Sequence, residues 1–383
     1  MLIKIIQKIS FYFKRITRKK VISLKPKTKS KGNVLISYIT SPFISQNKSL
    51  ISMSHTNIWE CYNIVKTFLE YGYSVDVIDW YNNNFIPKKN YKVFIDIHSN
   101  LERISPLLNK DCKKVLHITG CHWLYQNKME YERLLELQKR RKVTLQPRRI
   151  AKPSLGIEYA DYATILGNEF TISTFSYIKK PIYQIPISSV ITYDFYEDKD
   201  YNKCRKNYLW LGSTGAILRG LDLLLEAFVQ MPDYNLTICG PIINEIDFRD
   251  AFYSELFNSP NIKTLGWVDV GSTEFSEVIE NCIALVYPSF SEGCASSVIT
   301  CMHAGLIPVV SRHSGVNVAD FGFIIDNPSV KEIKEKVKKL SSLGKKELEE
   351  RSRRVWEYAR KNHTREKFAE EYRNFVNNFL NIR

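Results

Sequence analysis

Short apolar runs alternate with stretches whose apolar residues recur at helical spacing. This rhythm constrains the chain more than any other feature. It starts at Gly32 with "NVLISY" (Asn33–Tyr38) and continues through "SVDVIDW", "KVFIDI" (Lys92–Ile97), "KVLHIT" (Lys114–Thr119) and "YATILG" (Tyr162–Gly167). Between the first two, Ile58, Cys61, Tyr62, Val65, Phe68 and Leu69 share one helical face, which Gly72 closes. Asn57 and Glu60 stand at N-cap and N3 spacing for that helix. Short strands apolar on both faces, separated by helices, imply a parallel sheet covered on both sides.

The rhythm breaks once, over the polar stretch Thr192–Asn207, and then restarts. New strands are expected at Tyr208–Leu211, Leu236–Cys239, Ile262–Leu265, Ile283–Tyr287, Ile307–Val310 and Phe321–Ile325, with a helix at Leu221–Gln230. A chain of 383 residues is long enough for two cores. The expected fold is therefore α/β: two doubly wound, Rossmann-like domains facing a cleft. The first domain spans 32–190 and the second 191–363, with a hinge near 186–207 and a terminal amphipathic helix in 364–383.

Charge separates the beginning of the chain from the rest. Residues 1–31 carry eleven Lys/Arg and no acid; taking those eleven from the net +15 leaves +4 for everything else. A body so mildly basic argues against nucleic acid as a partner. Within the basic segment Leu2, Ile5, Ile6, Ile9, Phe13 and Ile16 recur at helical spacing among Lys4, Lys8, Arg15 and Arg18. Such a helix suits an anionic membrane surface, and Lys25–Lys31 reads as its flexible linker. No apolar run approaches the roughly 20 residues that span a bilayer, and no cleavable signal peptide is expected. The eight cysteines lack any CxxC and read as reduced, buried thiols. These features together suggest a cytoplasmic protein, peripheral on the inner face of a membrane.

In doubly wound sheets ligands bind at the carboxyl ends of the strands. Two loops of the second half stand there. In "PSFSEGC" a single acid, Glu292, lies among small residues before the helix that Gly305 ends. The free N–H groups of that helix's first turn, from Ala295 to Val298, form an anion site. Glu292 would repel a phosphate there and suits sugar hydroxyls instead; taken alone, it serves equally well as a carboxylate steadying the helix N-terminus. In "LWLGSTGAILRGLDLLLEAF", Arg219 stands where a Gly-rich loop becomes a helix and can grip a diphosphate.

These motifs, in order with "LTICGP", "LGWV" and "YPSFSEGCASSVITCMHAGLIPVVS", resemble the donor domain of GT-B glycosyltransferases of the family 4 type, the glycosyl transferases group 1. The resemblance covers roughly 205–380. It implies a retaining transferase needing no metal or other cofactor, with a nucleotide diphosphate sugar as donor substrate. It also implies a last helix crossing back to the first domain. The donor residues it implies are Gly212, Ser213, Arg219, Gly240, Pro241, Glu292, Gly293, Ser296, Ser297, Val298 and Thr300, with Glu292 in the catalytic role. Two positions depart from the pattern. The family's second glutamate, which holds the ribose, falls at Thr300, and its paired cations on the diphosphate fall at Ser213 and Arg219.

The first half offers His98 and His122 as catalytic candidates near strand ends, and His55, Asn57 and Arg148 on the acceptor side. Any one of these histidines is more often structural. Arg140, Arg141, Arg148 and Arg149 read as a solvated basic face, with a cradle for an acceptor's phosphate as the alternative. Asp198 and Asp200 match D-x-D by letters only, and no metal is assigned. The expected activity is transfer of a sugar to a hydroxyl of a saccharide or lipid-linked acceptor, in bacterial-type surface polysaccharide synthesis. The competing readings are a catalytically degenerate homologue that binds nucleotide or saccharide, and a nucleotide-sugar epimerase.

Overall fold

The computed structural model describes residues 21–44 and 55–381. The expected amphipathic helix over residues 2–18 lies outside the described residues. Two sheets are present. The first, in the order β1-β3-β2-β4-β5-β6-β7, contains β1 (Ile22–Leu24), β2 (Asn33–Tyr38), β3 (Ser74–Asp79), β4 (Val93–Asp96), β5 (Lys113–Ile118), β6 (Tyr162–Ile165) and β7 (Ile182–Gln184). The second, in the order β10-β9-β8-β11-β12-β13, contains β8 (Asn207–Leu211), β9 (Asn235–Cys239), β10 (Ile262–Gly266), β11 (Ala284–Tyr287), β12 (Ile307–Ser311) and β13 (Phe323–Ile325). All pairings are parallel except that of β1 with β3. The central strands are buried on both faces: Val34, Leu35 and Ile36 in β2 and Tyr208, Leu209 and Trp210 in β8 are all fully buried. One apolar cluster runs from the first sheet through the connecting strap into the second, and a smaller one around Leu35, Phe94 and Ile165 covers the first sheet's other face.

Three expectations need correction. The residues just before the expected linker form an edge strand: β1 pairs Ile22 with Val77 and Leu24 with Val75, and Ser23 Oγ donates to Asp76 Oδ1 at 2.6 Å. Lys25–Lys31 is pinned as well, with the Lys31 N–H on the Gly72 carbonyl. The long helix between β2 and β3 is α1 (Thr56–Glu70), and its N-cap is His55 rather than Asn57. Glu60 does not reach back to close a capping box; its Oε1 accepts from the N–H and hydroxyl of Ser188, fastening α1 to the strap between the sheets. Asn57 stays in the first turn, its buried Oδ1 without a hydrogen-bond partner among the described residues.

The third correction concerns the basic face. Arg140 and Arg141 end helix α2 (Trp123–Arg141), and Arg148 and Arg149 follow it. They oppose acids of the second domain. Arg140 meets Asp222 and Glu226, Arg141 meets Glu255 at 2.6 Å, Arg148 pairs with Asp247, and Arg149 reaches Glu292. Arg133 of α2, 2% exposed, joins the set at 2.6 Å from the fully buried Asp222, with its guanidinium over the Phe290 ring. Asp222 lies in the first turn of α3 (Leu221–Val229).

The last helix, α4 (Arg365–Leu380), returns to the first domain. Trp59 stacks edge-on against Phe368, Arg373 pairs with Glu70, and the Tyr71 hydroxyl donates to Asn377.

Candidate active site

The second sheet changes winding direction between β8 and β11, its switch point. Leu211 passes there into the Gly-rich loop and Tyr287 into the loop that carries Glu292. Glu245, outside the motifs read from sequence, holds the first loop by accepting from the N–H groups of Gly215 and Ala216. The second loop is held by the segment after β12: the Glu292 N–H donates to His313 O and the Ala295 N–H to Ser314 O. The following helix, Ser296–His303, begins at Ala295 without a side-chain cap, and Val298 N–H folds back on Ala295 O. The N–H groups of Ser296 and Ser297 remain as first-turn donors, strengthened by the helix dipole.

These loops line a cavity of about 420 Å³ together with His55, Thr56 and Val190. Of the residues expected to hold the donor, Gly212, Ser213, Arg219, Gly240, Pro241, Glu292, Ser296, Ser297 and Thr300 line it. Val298 is fully buried in the core instead. Gly293 faces the first domain: a Cβ there would strike the Thr119 carbonyl, so only glycine permits this approach. Its carbonyl accepts from Thr171 Oγ1 at 2.8 Å. Trp267 and Asp269, beyond β10, also line the cavity and were missed, although "LGWV" marked the place. Trp267 is 72% exposed, an apolar face open to a ligand.

Glu292 is not a lone carboxylate. Its Oε1 lies 3.2 Å from Arg219 Nε and accepts from the Tyr287 hydroxyl at 3.0 Å; its Oε2 lies 3.6 Å from Arg149 Nη2. Burial alone would raise this carboxyl. The two guanidiniums and the Tyr287 hydroxyl outweigh burial and hold it below the usual glutamate range. Arg219 also donates from Nε to the Tyr287 oxygen at 2.7 Å and from Nη1 to Thr214 O. Burial opposes its charge, but Glu292 and Tyr287 keep it protonated.

His98 and His122 stand elsewhere. With Thr119, Cys121, Gln126, Lys152 and others they line a second cavity, of about 180 Å³, at the carboxyl ends of β4 and β5. Cys121 Sγ donates to the Glu292 carbonyl at 2.9 Å, so the two cavities adjoin across this contact. His122 caps α2, and its Nε2 faces the Tyr177 hydroxyl at 3.2 Å; His98 Nδ1 is buried with no hydrogen-bond partner among the described residues. Burial lowers both imidazoles below their ordinary range. Arg148 lines neither cavity, because its guanidinium is spent on Asp247. Asp200 caps the short helix Tyr201–Cys204. Among the described residues no group of three His, Cys, Asp or Glu is placed to hold a metal, and no helix is long and apolar enough to cross a membrane.

The profile of the family described as "Glycosyl transferases group 1" matches residues 199–362. A comparison with curated proteins finds no match. Among solved structures the chain is similar to sucrose-phosphate synthase from Thermosynechococcus elongatus, at 13% identity and TM-score 0.62, covering 92% of this chain and 100% of that one. It is similar to Anabaena HepE in complex with UDP and glucose, at 12% identity and TM-score 0.53, covering 91% and 99%. It is also similar to a TarM variant of S. aureus bound to UDP, at 14% identity and TM-score 0.51, covering 74% of this chain and 55% of TarM. The chain thus spans about half the length of TarM. At these identities the likeness is one of fold. The group 1 match thus falls on the second of two doubly wound sheets, with its motifs gathered at that sheet's switch point, and the chain as a whole has the GT-B fold.

Proposed function

We propose that this protein transfers a sugar from a nucleoside diphosphate sugar to a hydroxyl of a saccharide or lipid-linked acceptor. The observation that carries the reading is the cavity at the switch point. It combines one buried guanidinium, two first-turn N–H donors, an exposed indole and a carboxylate. The diphosphate would lie on Arg219 and the N–H groups of Ser296 and Ser297, with the base against Trp267 and the ribose toward Thr300. These electropositive groups stand where charge develops as the diphosphate leaves, and such preorganised stabilisation supplies most of the acceleration in many enzymes; this supports a metal-independent reaction. Glu292 would turn from Arg219 to the donor sugar's hydroxyls. The smaller cavity, with His98, His122 and Lys152, would take the acceptor. The reacting atoms would then meet at the Cys121–Glu292 partition, with retention of configuration following from the family resemblance. The basic segment at the start of the chain would hold the enzyme on an anionic membrane, where surface polysaccharide acceptors are found.

Ser213 and Thr300 favour a second reading, a homologue that binds the nucleotide without turnover. The test uses the full chain with a panel of UDP- and GDP-sugars and saccharide acceptors, scored for release of nucleoside diphosphate. Release that needs an acceptor supports the transferase. Interconversion of donor sugars without acceptor would make it an epimerase, and binding without release would leave the second reading.

A further inference from the structure

We propose that Arg149, carried by the first domain, is the second cation of the diphosphate site in the second domain. The inference rests on the donor reading above and deepens it. The Gly212–Arg219 loop supplies one guanidinium, and Ser213 carries no charge at the other expected position. Arg149 approaches from the first domain on the other side of Glu292, reaching the cavity through this carboxylate rather than by lining it. Its stem crosses the loop at Gly215, where φ is +92° and a Cβ would overlap Arg149 Cγ and lie 2.7 Å from its Cδ. Arg219 Nη1 comes within 3.4 Å of the same point, so the two arginines converge on one stretch of loop. Both flank Glu292, and Glu245, which holds the loop at Gly215, is a second carboxylate facing Arg219.

The partners of Arg149 set it apart from its neighbours. Arg133, Arg141 and Arg148 each make a direct hydrogen bond to an acid. Arg149 is held only by an ion pair at 3.6 Å, and its Nε is buried with no hydrogen-bond partner among the described residues. A buried N–H left unsatisfied is costly, so it marks a place where a partner is missing. The backbone, by contrast, is fixed: Arg149 N–H donates to Glu130 Oε1 at 3.1 Å and its carbonyl accepts from Gln126 Nε2 at 2.7 Å. An anchored backbone with an under-bonded guanidinium is preorganised to fork onto an incoming oxyanion. Because Arg149 belongs to the other domain, the diphosphate would tie the two domains together.

The test compares binding of UDP and GDP, each against its monophosphate, by calorimetry. The proteins are the wild type, Arg149→Met and the double variant Arg149→Met/Ser213→Arg. Methionine keeps the stem over Gly215, and unchanged melting confirms the fold. Arg149→Met should weaken diphosphate binding about 10- to 100-fold, the range of one charge-assisted hydrogen bond, while monophosphate affinity changes little. Ser213→Arg should restore much of the loss. Equal diphosphate affinity in wild type and Arg149→Met would overturn the inference and leave the donor reading intact. Equal losses for di- and monophosphate, or no rescue, would assign Arg149 to packing. A wild type that binds no nucleoside diphosphate would overturn the donor reading itself.

Discussion

Glu292→Gln should make the protein less stable, bind nucleoside diphosphate more tightly and turn over more slowly, all at once. The pairing with Arg219 explains why. At 3.2 Å, and with an effective dielectric near 20, the attraction is about 5 kcal/mol before desolvation. The side chains are 8% and 11% exposed, so solvent screens little. The amide keeps the bond from Tyr287 but takes from Arg219 its nearest counter-charge, and breaking such a pair from one side costs about 3–5 kcal/mol. The Tyr287 and Thr214 oxygens still accept from Arg219, which favours the lower end, about 3 kcal/mol. In the unliganded protein Glu292 occupies the cation that a diphosphate would need. Removing its charge therefore removes a competitor, and UDP should bind at least about tenfold more tightly, equivalent to about 1.4 kcal/mol. Turnover should fall because the sugar loses its charged acceptor. Melting with and without UDP, calorimetry and single-turnover assays read the three effects separately. A variant that melts like the wild type and binds UDP no more tightly would refute the coupling of Glu292 to the anion site.

Other expectations follow from the same geometry. Arg219→Ala should weaken UDP binding by about 1.5–3 kcal/mol; unchanged affinity in the folded variant would remove Arg219 from the site. Thr300→Glu should tighten UDP binding about tenfold through charge-assisted bonds to both ribose hydroxyls, and an equal gain with the 2′-deoxy nucleotide would show the ribose is not the target. Burial raises the Glu60 carboxyl to about 7, only partly offset by its bonds from Ser188. A raised folded value means a contribution that is full below about pH 4.5 and lost as pH rises through about 7, so Glu60→Gln should match the wild type near pH 5 and exceed it by up to about 3 kcal/mol at pH 8. Denaturant curves with the same offset at both pH values would count against this. Removing residues 1–20 should abolish sedimentation with anionic vesicles while sparing β1, which a cut at residue 31 would destroy; vesicle binding that survives would place the membrane contact elsewhere.

The second domain was the more legible half because its site is local in sequence. The donor residues there lie in the loops and helix start that follow three strands: Gly212, Ser213 and Arg219 after β8, Gly240 and Pro241 after β9, and Glu292, Ser296 and Ser297 after β11. The sheet then carries those strand ends to one edge. The edge strands β1 and β7 escaped because each is three residues long with no fully buried residue, so neither shows an apolar run, whereas the equally short β13 buries Phe323 and Ile325. The capping pattern at Asn57 and Glu60 misled because a glutamate at N3 has two uses. Burial against the strap gave it Ser188 instead of the helix end. His98 and His122 looked like neighbours of the transferred sugar because both follow strands, and sequence carries no sign of the wall that Cys121 and Glu292 build between the cavities.

The arginines between 133 and 149 were the hardest to read, because a charge run looks solvated only while its opposing acids are unseen. Asp222, Glu226, Asp247 and Glu255 are scattered through the second domain, and nothing in the order of the chain points them toward α2. Contact also changes what these charges do. A buried pair such as Arg133–Asp222 adds little net stability, because desolvation consumes most of the attraction, yet losing one partner is expensive. Parting the domains would separate all of these pairs together, so their joint effect is to specify one relative placement of the two sheets. That placement brings Arg149 over Gly215 and the Gly120–Cys121 turn against Glu292. The charges that looked like surface thus complete a site whose other residues were legible in the second domain alone.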